Sequence, residues 1–167
     1  MRRNLLLAAV VLAACQKAET NQQMVARMRA ESDSAKAAIE AINVRYARYL
    51  NANQADSVAL LFAENGVMMP PSAPAVVGRD AIRTFLTSNG MPPGATLSFA
   101  VVDVAANGPI AIERGSYTFT MPAQGRTPAM SMAGKYFVHW HNVNGTWVQA
   151  ATIWSDDVPP PGGGPGN

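Results

Sequence analysis

The sequence predicts an α+β domain, with helices ahead of an antiparallel sheet. Three observations in the 167-residue chain carry that prediction. Apolar residues recur at helical spacing only in the first part of the body, up to about Thr87. From Leu97 onward long extended runs replace them. Asn107-Gly108 and Asn144-Gly145 fall between those runs, where hairpins need residues that tolerate positive φ. Helices followed by a meander place the helices on one face of the sheet. A curved sheet closed by helices would form a one-sided pocket. With 49% hydrophobic and 14% charged residues, the chain is neither a disordered polyion nor a polybasic binder.

At the N-terminus, Arg2 and Arg3 precede the apolar run Leu5 to Ala14. A positive start, a short apolar stretch and a small-residue end describe a signal peptide, residues 1–14. The run is about half the ~20 residues that a membrane-spanning helix requires. Leu12-Ala13-Ala14-Cys15 resembles the lipobox of bacterial lipoproteins. That resemblance implies cleavage before Cys15, lipidation of its thiol and export to the cell envelope. Gln16 stands where an aspartate would signal inner-membrane retention, so the outer membrane facing the periplasm is expected. The lone cysteine excludes an internal disulfide framework. Residues 15–33 read as the lipidated cysteine and a polar tether, residues 34–158 as the body, and residues 159–167 as a disordered Pro/Gly tail.

Within the body, Ile39, Ile42, Tyr46 and Tyr49 or Leu50 mark one face of a first helix. Asp56 is expected to cap a short second helix containing Leu60, Leu61 and Phe62, closed by Glu64-Asn65-Gly66. A short strand, Val67 to Met69, precedes Pro70-Pro71, and a third helix is expected from Asp80 to Thr87. Four strands follow: Leu97 to Ala105, Ile110 to Met121, Met132 to Asn142 and Thr146 to Asp156.

Several short motifs occur in order along this body. They are Asn53-Gln54-Ala55-Asp56, Gly78-Arg79-Asp80-Ala81-Ile82, Glu113-Arg114-Gly115-Ser116-Tyr117, Gly134-Lys135-Tyr136 with Trp140, and Ile153-Trp154-Ser155-Asp156. In this the body resembles the SnoaL-like (DUF4440) branch of the nuclear-transport-factor-2-like (NTF2-like) superfamily, which includes ketosteroid isomerases and polyketide cyclases. The resemblance implies a cystatin-like cone, a curved antiparallel sheet wrapped around N-terminal helices, and a homodimer formed through the sheet. It does not imply one activity, because a fold hosts many.

The expected pocket comprises Tyr46, Tyr49, Phe62, Met69, Phe85, Tyr117, Tyr136, Trp154 and Asp156. Ketosteroid isomerases combine an Asp base with an oxyanion hole made of a Tyr and a protonated Asp. Tyr46, Tyr117 and Asp156 are the candidates for polar roles here, although a plain core position is the preferred reading of Tyr46. Gly66-Val67-Met68-Met69-Pro70, where a base would be expected by that resemblance, holds no titratable group. Asp156 and Asp157 are strand neighbours and point to opposite faces, so they cannot form a dyad. A solvated rim is the preferred place for both, whereas Thr152 and Trp154 share the parity of Asp156. His139 and His141 share a face, but no second ligand cluster accompanies them, so an outer-face position is preferred to zinc. No metal or cofactor is expected. No serine sits in a Gly-x-Ser-x-Gly elbow and no phosphate loop is present.

The formal charge of +2 arises from 13 basic and 11 acidic residues. Arg2 and Arg3 belong to the leader, so the chain from Cys15 onward is balanced at 11 against 11. That leaves no global field for nucleic acid. The reading ranked first is a membrane-anchored module binding a small, largely apolar molecule. An isomerase, cyclase or dehydratase ranks second, and a dimeric envelope scaffold third.

Overall fold

A computed structural model describes residues 19–157; Cys15, the expected leader and the expected Pro/Gly tail lie outside them. The apolar stripe of the first helix builds a longer element than the sequence pattern marks. Helix α1 runs unbroken over Asn21–Asn51 and crosses the expected tether boundary at Ser34. Its start is fixed by a reciprocal box. The Thr20 hydroxyl accepts from the Gln23 amide N–H at 3.2 Å, and the Gln23 side chain accepts from the Thr20 N–H at 3.0 Å. Ala35, Ile39, Ile42 and Asn43 form its buried stripe. Nearer its start, Ser32 Oγ accepts from the Ala106 N–H, and Glu31 from the Gly108 N–H, pinning the helix to a hairpin tip.

Helix α2 is shorter than expected, Ala55–Ala59. Asp56 lies in its first turn instead of capping it, and its carboxylate pairs with Arg83 Nε at 2.8 Å. The apolar run Leu60-Leu61-Phe62 does not extend the helix. Phe62 opens strand β1 (Phe62–Met69) because its backbone pairs with Gln149. Gly66 is therefore a strand residue. A Cβ there would lie 3.0–3.2 Å from Ala63 O, Gln149 O and Phe62 Cβ, so the missing side chain permits close passage. Strand β2 (Val76–Val77) was not expected; it pairs antiparallel with β1. Helix α3 spans Arg79–Ser88.

Four long strands follow, β3 (Thr96–Asn107), β4 (Ile110–Met121), β5 (Met130–Val143) and β6 (Thr146–Asp156). The hairpins lie where expected. The tip of β3–β4 is Gly108-Pro109, with Gly108 at φ +59°, and the tip of β5–β6 is Asn144-Gly145, with both φ values positive. The sheet order is β2-β1-β6-β5-β4-β3, antiparallel except for the parallel β1–β6 pair. Register shifts in β1, β3 and β6 interrupt the ladders, and such bulges bend a sheet. The result is the expected cone: a curved, unclosed sheet with α1 packed across it.

Two apolar clusters fill the cone. Ile39, Ile42, Val104, Val138 and Trp140 form one; Val58, Phe62, Met68 and Ile82 form the other. Between them a space remains.

Candidate functional site

Strand parity aims the polar residues at that space. On β4 the inward set is Ala111, Glu113, Gly115 and Tyr117; on β5 it is Gly134, Tyr136, Val138 and Trp140. Gly115 pairs with Tyr136, and Tyr117 with Gly134. Each tyrosine ring thus lies over the glycine of the neighbouring strand, in the volume a Cβ would occupy. The arrangement lays both phenols along the sheet.

The phenols end on carboxylates. Tyr117 donates to Asp156 at 2.5 Å, and Tyr136 donates to Glu113 at 2.6 Å. Glu113 also accepts from Asn43 Nδ2 at 2.6 Å and from the Trp140 indole N–H at 2.8 Å. It is fully buried, and no cation pairs with it among the described residues. Burial pushes the Glu113 carboxyl above the usual carboxylate range, against the pull of its three donors. Burial likewise raises the Tyr46, Tyr117 and Tyr136 phenols, and the adjacent carboxylates raise the last two further.

The space itself is a cavity of about 190 Å³ bounded by α1, α3 and the inner sheet face. Of the nine expected pocket residues, Tyr46, Phe85, Tyr117, Tyr136 and Trp154 line it. Tyr49, Phe62, Met69 and Asp156 do not. Tyr49 lies beneath the Arg48 guanidinium, 5.0 Å from ring centroid to Cζ. Phe62 is sunk in the core behind Tyr46. Met68, not Met69, has the inward parity on β1. Asp156 sits one hydrogen bond back, half-buried behind Tyr117, which is neither the free rim position nor a direct lining one. Asp157 points the other way and pairs with Lys135 Nζ at 2.8 Å.

Three lining residues carry polar groups without a hydrogen-bond partner among the described residues: the Tyr46 hydroxyl, the Gln149 amide and the Thr152 hydroxyl. Gln149 is only 3% exposed. Its amide lines the cavity without a protein partner, so it is available to hydrogen-bond an occupant. Neither Gln149 nor Glu113 figures among the expected site residues. Glu113 was legible: it has the same strand parity as Tyr117, and a charged residue at an inward position is a signal in itself.

The histidines lie on the opposite, outer sheet face, with ring centroids 4.6 Å apart and Phe137 and Ile153 exposed beside them. Partial burial, with the neighbouring His141, holds His139 below the usual histidine range. Among the described residues no three His, Cys, Asp or Glu side chains converge as a metal site.

Residues 31–152 match the family model described as a SnoaL-like domain. The chain belongs to that family. Solved structures give the same answer for the fold of this SnoaL-like chain. An NTF2-like protein with a cystatin-like fold from Novosphingobium aromaticivorans superposes with a TM-score of 0.67 at 15% identity, covering 86% of this chain and 94% of that one. A ketosteroid isomerase-like protein from Erwinia carotovora atroseptica gives 0.62 at 21%, covering 74% and 96%. A Catenulispora acidiphila protein, solved in complex with S-DNPA, gives 0.64 at 13%, covering 75% and 95%. At these identities the likeness is one of fold. No curated protein matches the sequence.

Proposed function

We propose that this SnoaL-like domain binds a small, largely apolar molecule in the cavity between α1, α3 and the sheet. The observation that carries the reading is the cavity's make-up: aromatic and aliphatic walls around the unpartnered Tyr46, Gln149 and Thr152 side chains. A few polar groups converging in an apolar hollow are what a ligand site needs. At about 190 Å³ the hollow is smaller than the ~300–1,000 Å³ of drug-sized sites, so the molecule is compact. The test is mass spectrometry of the gently purified protein, followed by thermal melts against a metabolite panel. A co-purified molecule or a stabilising metabolite is expected, and the stabilisation should shrink in Gln149→Leu. A chain that carries nothing and responds to nothing would sink the reading.

Isomerase, cyclase or dehydratase chemistry ranks second. The Tyr117–Asp156 pair favours it, since that phenol lines the cavity with a proton acceptor behind it. No carboxylate among the lining residues faces the hollow directly, which is why binding ranks first.

We further infer that Cys15 anchors the chain to the envelope and that the outer sheet face pairs two copies. Support for the second point is the exposed Ile112, Phe137 and Ile153 beside the two histidines. Light scattering should report a dimer that Phe137→Asp converts to monomer. A wild-type monomer at high concentration would dismiss the pairing.

A further inference from the structure

We propose that the cavity selects a cation with an apolar body, an alkyl- or arylalkylammonium, over neutral or anionic molecules of the same shape. The proposal rests on the ligand-binding reading above and adds the ligand's charge to it.

The walls offer aromatic faces in more than one orientation. Tyr46 and Phe99 meet at 76° with centroids 5.5 Å apart, and Phe99 and Tyr136 meet at 87° with centroids 5.4 Å apart. Trp154, Phe85 and Tyr117 complete the aromatic part of the lining. The negative faces of such rings attract ammonium groups.

Behind those walls lies a carboxylate without a counter-ion, Asp156. Glu113 takes hydrogen bonds from Tyr136 and Asn43, and Asp156 takes one from Tyr117; all three donors line the cavity. A phenol donating to a carboxylate has a more electron-rich ring, which strengthens its hold on a cation. Among the described residues neither acid forms an ion pair, and the Lys135 ammonium pairs with Asp157. No Lys, Arg or His lines the cavity. An anion entering it would meet the Asp156 carboxylate and no compensating charge, whereas a cation would supply the charge that Asp156 lacks. The unpartnered Gln149, with its carbonyl oxygen available as an acceptor, suits an ammonium N–H equally well.

The experiment compares benzyltrimethylammonium with its uncharged isostere neopentylbenzene on the full chain, following tryptophan emission and the thermal midpoint. The cation should bind about tenfold tighter, the scale of a desolvated cation–π contact. Asp156→Asn keeps an acceptor for the Tyr117 hydroxyl and removes only the charge. It should weaken the cation about fivefold and leave neopentylbenzene unchanged. Equal affinity for the two probes, or a variant that weakens both alike, overturns the charge assignment and leaves the pocket standing. If neither probe binds but a neutral metabolite does, the charge assignment falls alone. If nothing binds at all, the pocket reading falls with it.

Discussion

Glu113 receives three hydrogen bonds, faces no cation and is fully buried, so its proton is coupled to the stability of the fold. Burial raises its pKa above the usual 4.5, so the fold favours the protonated form. Its contribution is complete below the unfolded value and is lost as pH rises through the higher folded value. Glu113→Gln carries no titration at this position. Its amide N–H₂ would face the Trp140 N–H, a cost that does not vary with pH. Denaturant melts should therefore show wild type losing stability relative to Glu113→Gln as pH rises above 4.5; a constant gap between the two would refute the coupling. Glu113→Ala is more severe, because it strands the Trp140, Tyr136 and Asn43 donors together, and about 3 kcal/mol should be lost at any pH. At this scale the sequence was readable in part. Tyr46, Phe85, Tyr117, Tyr136 and Trp154 reached the cavity because helical period and strand parity set where they point. Asp156 missed it by one hydrogen bond, since parity gives the direction of a side chain and not what covers it. Gln149 was unreadable: β5 and β6 shift register between His139 and Trp140, and no local pattern announces which neutral amide will lack a partner.

Strands β4 and β5 are locked together by size as well as by hydrogen bonds. Gly115 opposite Tyr136 and Gly134 opposite Tyr117 form a crossed pair in which each missing side chain makes room for a ring. Gly134→Ala would place a methyl against the Tyr117 ring and the Ser155 carbonyl oxygen. Overpacking of this kind costs about 1–3 kcal/mol, and it should also displace Tyr117 from Asp156. In a double-mutant cycle with Tyr117→Leu the two changes should couple by at least about 0.5 kcal/mol, measured from denaturation midpoints. Strict additivity would show that the ring and the glycine do not share that space. Element type was legible wherever a period ran long, as in α1, α3 and the four long strands. It failed over Leu60-Leu61-Phe62, a short apolar run that suits a helix end and a buried strand start equally well. Pairing with β6, a partner distant in sequence, settled Phe62 as strand. Strand β2, two residues long, exists only because β1 offers it an edge.

For the whole molecule, where α1 begins bears on how the domain would sit at a membrane. In the sequence, residues 16–33 read as a spacer, partly helical around Met24, Val25 and Met28, and α1 is helical from Asn21 and is tied to the β3–β4 tip through Glu31 and Ser32. If Cys15 carries the acyl anchor, only residues 16–20 separate it from a rigid rod. Five residues reach at most about 17 Å when fully extended. The domain is then held close to the bilayer instead of ranging freely above it. The charge from Cys15 onward is balanced, so anionic headgroups would supply little net attraction and attachment would depend on the acyl chains. Cys15→Ser should therefore move the protein from the membrane to the soluble fraction and remove the acyl mass from its N-terminal peptide. High salt should not reproduce that release in the wild type, as it would for a protein held by charge. Wild-type protein that washes off in salt, or a serine variant that still sediments with membranes, would refute the anchor. Insertion of a flexible Gly/Ser segment between Ala18 and Glu19 should leave fractionation unchanged while exposing the membrane-proximal turns of α1 to added protease. Equal protection in both forms would show that the rod does not stand close to the surface.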